Sequence, residues 1–311
     1  MTSTPAAVLT NTTTTNSGVP PRVLLADGAI DLRLGDWREV LGDVAACAAV
    51  ITDPPYTSRV EFGYRSGSAV KRGRATTARR PTIPYGAMTT REARAIADFS
   101  VRTSARFAVV FNDHVGWRWL ERAFKARGRY VFAPVIWDKM TPAPRFQGDG
   151  PTDAVEHVMI SMPDEDSACE WICVSRPRER HYVGSLDGIY RCPSVSQGIG
   201  KGEGRGLTGQ KPLALMMKIV EHYTKPGDLV VDMYCGRGTT AVACALTGRR
   251  CVTSEISAEN FALAQKRIIE DLARVNLEAR QLRAFETQRI RDEGKRQRRA
   301  KATDLFAAGA K

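Results

Sequence analysis

At 311 residues and 43% hydrophobic, the chain can bury one large α/β core or two smaller ones. Its 46 Lys and Arg against 34 Asp and Glu leave a formal charge of +12. That suits a polyanionic partner, most simply nucleic acid; a basic surface with no such partner is the alternative. No apolar run approaches the ~20 residues that cross a bilayer, and the first residues lack the charged start and apolar stretch of a secretory signal. Neither a membrane span nor export is expected.

In chain order, "MTSTPAAVLTNTTTTNSGVPP" is rich in Thr, Ser and Pro and predicts a disordered tail over residues 1–22. Order begins near Val23. "IDLRLGDWREVL" reads as a short strand, a turn at Gly35-Asp36 and a helical turn, and residues 46–52 as a buried strand. Residues 57–86 have no apolar period and carry seven basic residues, Arg59, Arg65, Lys71, Arg72, Arg74, Arg79 and Arg80. A loop of that length is functional or disordered. A helix over 90–106, the strand "RFAVVF" and the helix "VGWRWLERAFKARG" follow. "YVFAPVIWDK" reads as one strand, "AVEHVMISM" and "EWICVS" as two more, and 176–210 as glycine-rich loop. "KPLALMMKIVEHYT" has helical spacing. "DLVVDMY", "TTAVACALTG" and "RCVTSEI" then give strand, helix and strand, and a long helix runs from Ala258 into the basic "RIRDEGKRQRRAK". Strand, glycine turn, helix and strand at 228–256 make a βαβ unit, so the chain predicts a doubly wound, mostly parallel α/β sheet.

The seven cysteines include no CxxC pair, which fits a reducing compartment. Cys169, Cys173, His181 and Cys192 could be four zinc ligands, but their x3 and x10 gaps match no common zinc ribbon or finger, and no metal site is expected. Trp117, Trp119 and Trp171 read as packing residues. His114, His157, His181 and His222 have no triad logic around them.

In "VVDMYCGRGTT", Asp232 ends a strand, and Gly236 and Gly238 precede a helix that starts at Thr239-Thr240. Glycines there let the backbone turn tightly and approach a ligand, and the helix start offers free N–H groups to an anion. An acid that would hold ribose hydroxyls belongs at the end of the next strand. Glu255 lies there, 23 positions after Asp232. The loop is not GxGxxG, so a dinucleotide is disfavoured.

The strand at 46–52 ends in Asp53-Pro54-Pro55-Tyr56. Two prolines have fixed φ, and each restricts the residue before it to extended backbone, which holds Asp53 and Pro54 rigidly. The Asp53 carboxylate and the Pro54 carbonyl are two acceptors suited to a primary amine, and Tyr56 adds a face for a ring. A planar ring with an exocyclic amine is adenine or cytosine. Two hydrogen bonds from its N–H groups favour a more tetrahedral nitrogen with a freer lone pair, and the proton can leave after attack. In duplex DNA such a base must first be flipped out, at a few kcal/mol. Stacking on one aromatic returns about 1–3 kcal/mol.

These residues resemble the amino-group DNA methyltransferases of the N6-adenine/N4-cytosine class. DPPY is similar to their catalytic motif and "DMYCGRGTT" to their D-P-F-x-G-S-G-T-T loop. "TGQKP" resembles their H-x-x-K-P-type segment, "LGDWREVL" their upstream G-D segment and "VIWDKMTPAP" their W-x-K-x-x-x-x-P stretch. The catalytic motif precedes the cofactor loop, as in the β-type, circularly permuted order. The resemblance implies a Rossmann-like sheet with helices on both faces, S-adenosylmethionine as cofactor and DNA as partner. It implies that Asp53, Pro54, Pro55 and Tyr56 are catalytic. It also implies that Asp36, Lys211, Asp232, Tyr234, Gly236, Gly238, Thr239 and Glu255 contact the cofactor. Asp at the first motif position is typical of N6-adenine methylation, serine of N4-cytosine. Departures are Met233 for proline, Tyr234 for phenylalanine, Arg237 for serine and Thr208 for histidine. A methyltransferase domain over 23–270 is expected, with 57–86 as a mobile basic loop over DNA and 140–210 as a small target-recognition region. Residues 271–311 would be a basic helical tail that could pair two copies into a homodimer. A cytoplasmic, nucleoid-associated protein of a bacterium or phage, in a restriction-modification setting, is implied. N4-cytosine methylation and an inactive DNA-binding relative are the alternatives.

Overall fold

The structure, a computed structural model, describes residues 12–13, 20–58, 86–139, 169–178, 188–193 and 210–275. Met1–Arg267 form one compact unit, which carries the whole sheet; of the second unit, Ile268–Lys311, residues 268–275 are described and are helical. The basic loop, apart from its ends, lies outside the described residues. So do "AVEHVMISM", most of 140–210 and the tail beyond 275.

Among the described residues, eleven strands share one sheet. They are β1 (Thr12–Thr13), β2 (Arg22–Leu25), β3 (Ile30–Leu34), β4 (Cys47–Thr52), β5 (Ser104–Asn112), β6 (Tyr130–Val131), β7 (Val135–Asp138), β8 (Cys169–Arg176), β9 (Ile189–Arg191), β10 (Leu229–Asp232) and β11 (Arg250–Glu255). The helices are α1 (Trp37–Val40), α2 (Thr90–Thr103), α3 (His114–Ala126), α4 (Leu213–Tyr223) and α5 (Thr239–Leu246), and residues 258–267 are helical as well.

The sheet runs β1-β2-β3-β11-β10-β4-β5-β8-β7-β9, with β6 also on β8. Its centre, β3-β11-β10-β4-β5, is parallel throughout. Antiparallel strands flank it, β2 on β3 and β8 on β5, and β9 returns parallel to β7 at the far edge. A parallel centre needs crossovers, and these cover both faces. The alternation within strands shows it. Val50, Ala108, Val110 and Val231 face a core with Trp37, Phe99, Leu120 and Phe124 from α1, α2 and α3. The neighbouring position Phe107 turns the other way, its ring 5.2 Å from that of Tyr223 on α4. Helix α4 packs in turn on α5. The sheet is therefore Rossmann-like and doubly wound.

Three local expectations change. "YVFAPVIWDK" is two strands, β6 and β7, because Pro134 has no N–H to give the ladder on β8. The stretch expected to be loop from 176 to 210 contains β9, a three-residue strand between Gly188 and Pro193, too short to show a period. In the tail expected to be disordered, Thr12 and Thr13 pair with Leu24 and Val23 as an edge strand of β-branched residues.

Candidate active site

From β4 the chain crosses to β5 on one side, and from β10 it crosses through α5 to β11 on the other. The crossover direction reverses between β4 and β10, which are neighbours. In a doubly wound sheet that reversal opens a crevice beyond the strand ends where ligands bind. Asp53 and Asp232 lie at the two strand ends that bound this crevice. Thr52 ties them together: its hydroxyl donates to Asp232 Oδ1 at 2.8 Å and accepts from the Met233 N–H at 3.2 Å.

Residues 53–57 leave β4 as extended chain, fixed by more than the two prolines. The Thr57 N–H and hydroxyl both donate to Asp113 Oδ2, at 2.9 and 2.6 Å. Asp113 Oδ1 accepts from the Val115 and Gly116 N–H groups and so caps α3. The Tyr56 carbonyl accepts from the Met88 N–H at 2.9 Å. One carboxylate thus joins a helix start to the segment that carries Asp53–Tyr56. An Asp113→Ala variant should lose about 2–4 kcal/mol, summing a lost cap and stranded Thr57 donors, as read by urea unfolding. A loss under about 1 kcal/mol would show that Asp113 does not hold the segment.

Lys211 comes to the same place from the other end of the chain. Its Nζ donates to Asp53 Oδ2 at 2.6 Å, and its side chain is 7% exposed against 28% for Asp53. The Nζ lies 5.3 Å from the ring centre of Tyr56, 5.1 Å from Phe111 and 5.9 Å from Trp137. The resemblance implies a place for Lys211 among the cofactor residues; in the structure its ammonium meets the Asp53 carboxylate.

The glycine loop is built by β10, α5 and β11. Gly236 has φ +53° and Gly238 φ +77°, values costly for any residue with a Cβ. The space above the Gly236 Cα is open, and Gly238 begins α5 with no side-chain cap on its first turn. Glu255, at the end of β11, accepts from the Gly236 N–H and the Ser257 N–H, both at 3.0 Å. Burial raises its pKa against those donors. Arg267 braces the loop through the Arg237 carbonyl and the Thr239 hydroxyl, each at 2.9 Å. The Gly35 N–H donates to the Glu255 carbonyl at 2.9 Å, and so Asp36 starts α1 beside Glu255, capping the Arg38 N–H and pairing with the Arg38 side chain. The Tyr234 hydroxyl meets Glu92 and accepts from the Trp37 indole N–H at 3.0 Å. Its ring lies 6.5 Å from that of Trp37. Carboxylate at the mouth, open glycine turn and uncapped helix start suit a nucleoside with a charged tail.

Asp232 is fully buried, and burial pushes its pKa up to about 7, against hydrogen bonds from Thr52, Tyr234 and Thr240 and with the Asp53 charge adding to the rise. Between its ordinary value of 3.8 and about 7, the folded protein keeps a proton that the unfolded chain has released. This group's contribution to stability is therefore full below pH 4 and falls as pH rises to 7, by up to about 4 kcal/mol. Asp232→Asn should flatten that fall, seen in urea midpoints at pH 4.5 and pH 7.5. Equal slopes in variant and wild type would show that Asp232 is already ionised in the fold.

A model of the DNA methylase family of N6- and N4-methyltransferases matches residues 47–266, from the start of β4 to the helix that braces the glycine loop. The chain belongs to that family. Among curated proteins it is 25% identical over 146 residues to the type II methyltransferase M2.DpnII of Streptococcus pneumoniae, covering 47% of this chain and 54% of that one. The chain spans about half the length of the curated relatives it matches. Among solved structures, the M1.HpyAVI–SAM complex aligns with a TM-score of 0.53 at 20% identity, over 77% of this chain and 98% of that one. The PvuII DNA methyltransferase, described as cytosine-N4-specific, aligns at 0.52 and 16% identity, over 81% and 90%. At these identities the likeness is one of fold.

Within this member of the family, the sheet brings Asp53–Tyr56, Lys211, Asp232 and the glycine loop to one edge, with Glu255 at the end of β11 and Asp36 at the start of α1 beyond β3. Sequence reasoning missed Thr52, Thr57, Asp113 and Arg267. It had a signal for one of these, since Asp113 stands where an N-cap belongs before an apolar helical period. Of the cysteines weighed as zinc ligands, Cys173 pairs with Val110 inside the sheet and is buried, which raises its thiol pKa. His181 lies outside the described residues.

Proposed function

We propose that this chain transfers a methyl group from S-adenosylmethionine to the exocyclic amine of a base flipped out of DNA, with N6 of adenine as that amine. The observation that supports it best is the pairing of two dissimilar half-sites across the β4–β10 switch point, joined by the Thr52–Asp232 hydrogen bond. When bound, S-adenosylmethionine supplies an electrophilic methyl group. The rest is the work of this chain. Glu255 holds ribose hydroxyls, and Gly236, Gly238 and Thr239 admit the amino-acid tail beside Asp232 and Tyr234, with Asp36 near the Glu255 end. Asp53 and the Pro54 carbonyl accept from the target amine, Pro55 keeps that carbonyl fixed, and Tyr56 stacks on the base. The amine nitrogen would take the methyl group as the methyl–sulfur bond breaks and S-adenosylhomocysteine leaves, and the extra proton on nitrogen would then pass to solvent. Preorganised acceptors of this kind act on charge as it develops.

The resemblance favours adenine, because Asp at the first position of the motif, here Asp53, is typical of N6-adenine methylation. The fold likeness to a cytosine-N4-specific enzyme keeps cytosine as the second reading. The +12 charge and the seven basic residues of 57–86 give the salt-dependent part of DNA affinity. Restriction-modification, a bacterial or phage cytoplasm with nucleoid association, and pairing of two copies through 271–311 complete the proposal. Among the described residues no helix is long and apolar enough to cross a membrane.

The test is product identity. Unmethylated genomic DNA is incubated with labelled S-adenosylmethionine, digested to nucleosides and resolved by mass spectrometry. Label in N6-methyladenine supports the proposal. Label in N4-methylcytosine overturns the base assignment alone. Cofactor binding without labelled DNA overturns the activity.

A further inference from the structure

The structure assigns Lys211 a place in the catalytic half-site: we propose that it is a positioning residue for methyl transfer, a fixed cation that holds the Asp53 carboxylate in its reactive orientation. The inference rests on the reading of Asp53 as the acceptor of the target amine.

Both partners of the pair are constrained before they meet. Asp53 precedes Pro54 and Lys211 precedes Pro212, so each has extended backbone imposed by the ring that follows. Pro212, at φ −61°, also starts α4, which anchors Lys211 to a helix whose Tyr223 ring lies 5.2 Å from that of Phe107 on β5. The ammonium then reaches Asp53 Oδ2 at 2.6 Å. Three rings from three different strand ends surround it: Tyr56 after β4, Phe111 on β5 and Trp137 on β7, all within 6 Å of Nζ. A cation over ring faces is attracted by their quadrupoles, the more so when desolvated. Phe111 is fully buried and Trp137 is 2% exposed, with its indole N–H donating to the Cys192 carbonyl at 2.7 Å. Such rings cannot turn aside easily, so the cage is preformed and the ammonium has one position.

That position decides what the carboxylate can do. Oδ2 is engaged by Lys211, which directs the target amine to Oδ1 and the Pro54 carbonyl. A carboxylate is floppy at its last torsion unless both oxygens are specified. The Lys211 ammonium also supplies the opposite charge directly beside Asp53 Oδ2. A misplacement of about 1 Å at a reacting group can cost roughly 10²-fold in rate.

Lys211→Met fills the aromatic cage with an unbranched chain and removes the charge; Lys211→Arg keeps the charge on a planar head that stacks on rings. Single-turnover methyl transfer at saturating cofactor should fall about 10²-fold in Lys211→Met. The Kd for S-adenosylmethionine and the KM for DNA should stay within about threefold of wild type, and Lys211→Arg should recover at least a tenth of the rate. A cofactor Kd weakened tenfold or more with the saturated rate unchanged would overturn the proposal and make Lys211 a cofactor contact. An unchanged rate in Lys211→Met with active wild type would also overturn it. Inactivity of wild type itself, with cofactor bound, would instead remove the functional reading on which it rests. If Lys211→Met does not fold, Lys211→Arg carries the test through its rate and cofactor Kd.

Discussion

Replacing Asp53 with Ala should abolish methyl transfer while leaving cofactor binding within about threefold of wild type. In the proposed mechanism the carboxylate accepts from the target amine, an interaction that strengthens as positive charge builds on nitrogen. Losing one preorganised group of that kind costs roughly 10²–10³-fold, and here the buried Lys211, 7% exposed, also loses its 2.6 Å contact with the carboxylate. A combined fall of about 10³-fold or more is expected in single-turnover rate. Equilibrium dialysis with labelled S-adenosylmethionine supplies the second readout. Substantial residual transfer, within tenfold of wild type, would place the amine acceptor elsewhere.

Replacing Glu255 with Ala should do the opposite, weakening the cofactor and sparing the chemistry once cofactor saturates. Glu255 does two things at the end of β11. It holds the Gly236 N–H, which sets the glycine turn, and in the proposed mechanism it accepts from ribose hydroxyls. Hydrogen bonds to a charged group contribute about 1.5–3 kcal/mol, so Kd should rise about 10- to 100-fold. Isothermal titration gives the number directly. A Kd unchanged in Glu255→Ala would mean that the carboxylate serves the loop alone and that the ribose is held by other residues. Together the two variants separate the half-sites on either side of the switch point: one moves the rate, the other the affinity.

The residues legible in the sequence were those whose chemistry needs neighbours in the chain. DPPY couples an acid to two imino acids, and GRGTT couples positive φ to a helix start, so each declares itself within a few positions. Glu255 was legible because one helix and one strand of ordinary length, α5 and β11, lead from that turn to it. Residues whose role comes from distant partners were not. Thr52 is one threonine in an apolar strand until β10 places Asp232 beside its hydroxyl, 180 positions away. Arg267 reads as one more cation on a basic helix until the Arg237 carbonyl appears against it. The aromatic cage adds Phe111 and Trp137 to Tyr56, and nothing in the chain around those two announces that they meet Lys211. The parallel centre of the sheet followed from the βαβ unit, whereas the break at Pro134 and the short β9 follow from pairing with β8 and β7, which no local period announces.

The ladder between β4 and β10 also sets when the molecule can first work. A ribosome that has just made Asp53 must add about 180 more residues before β10 exists to stand beside it. At roughly 5–20 residues per second that delay is on the order of 10–40 s. During it β4 has β5 on one side and nothing from the C-terminal third on the other. The nascent polypeptide therefore carries an acid and no neighbouring glycine turn, and its competence arrives late, in one step, with the closure of the sheet's middle.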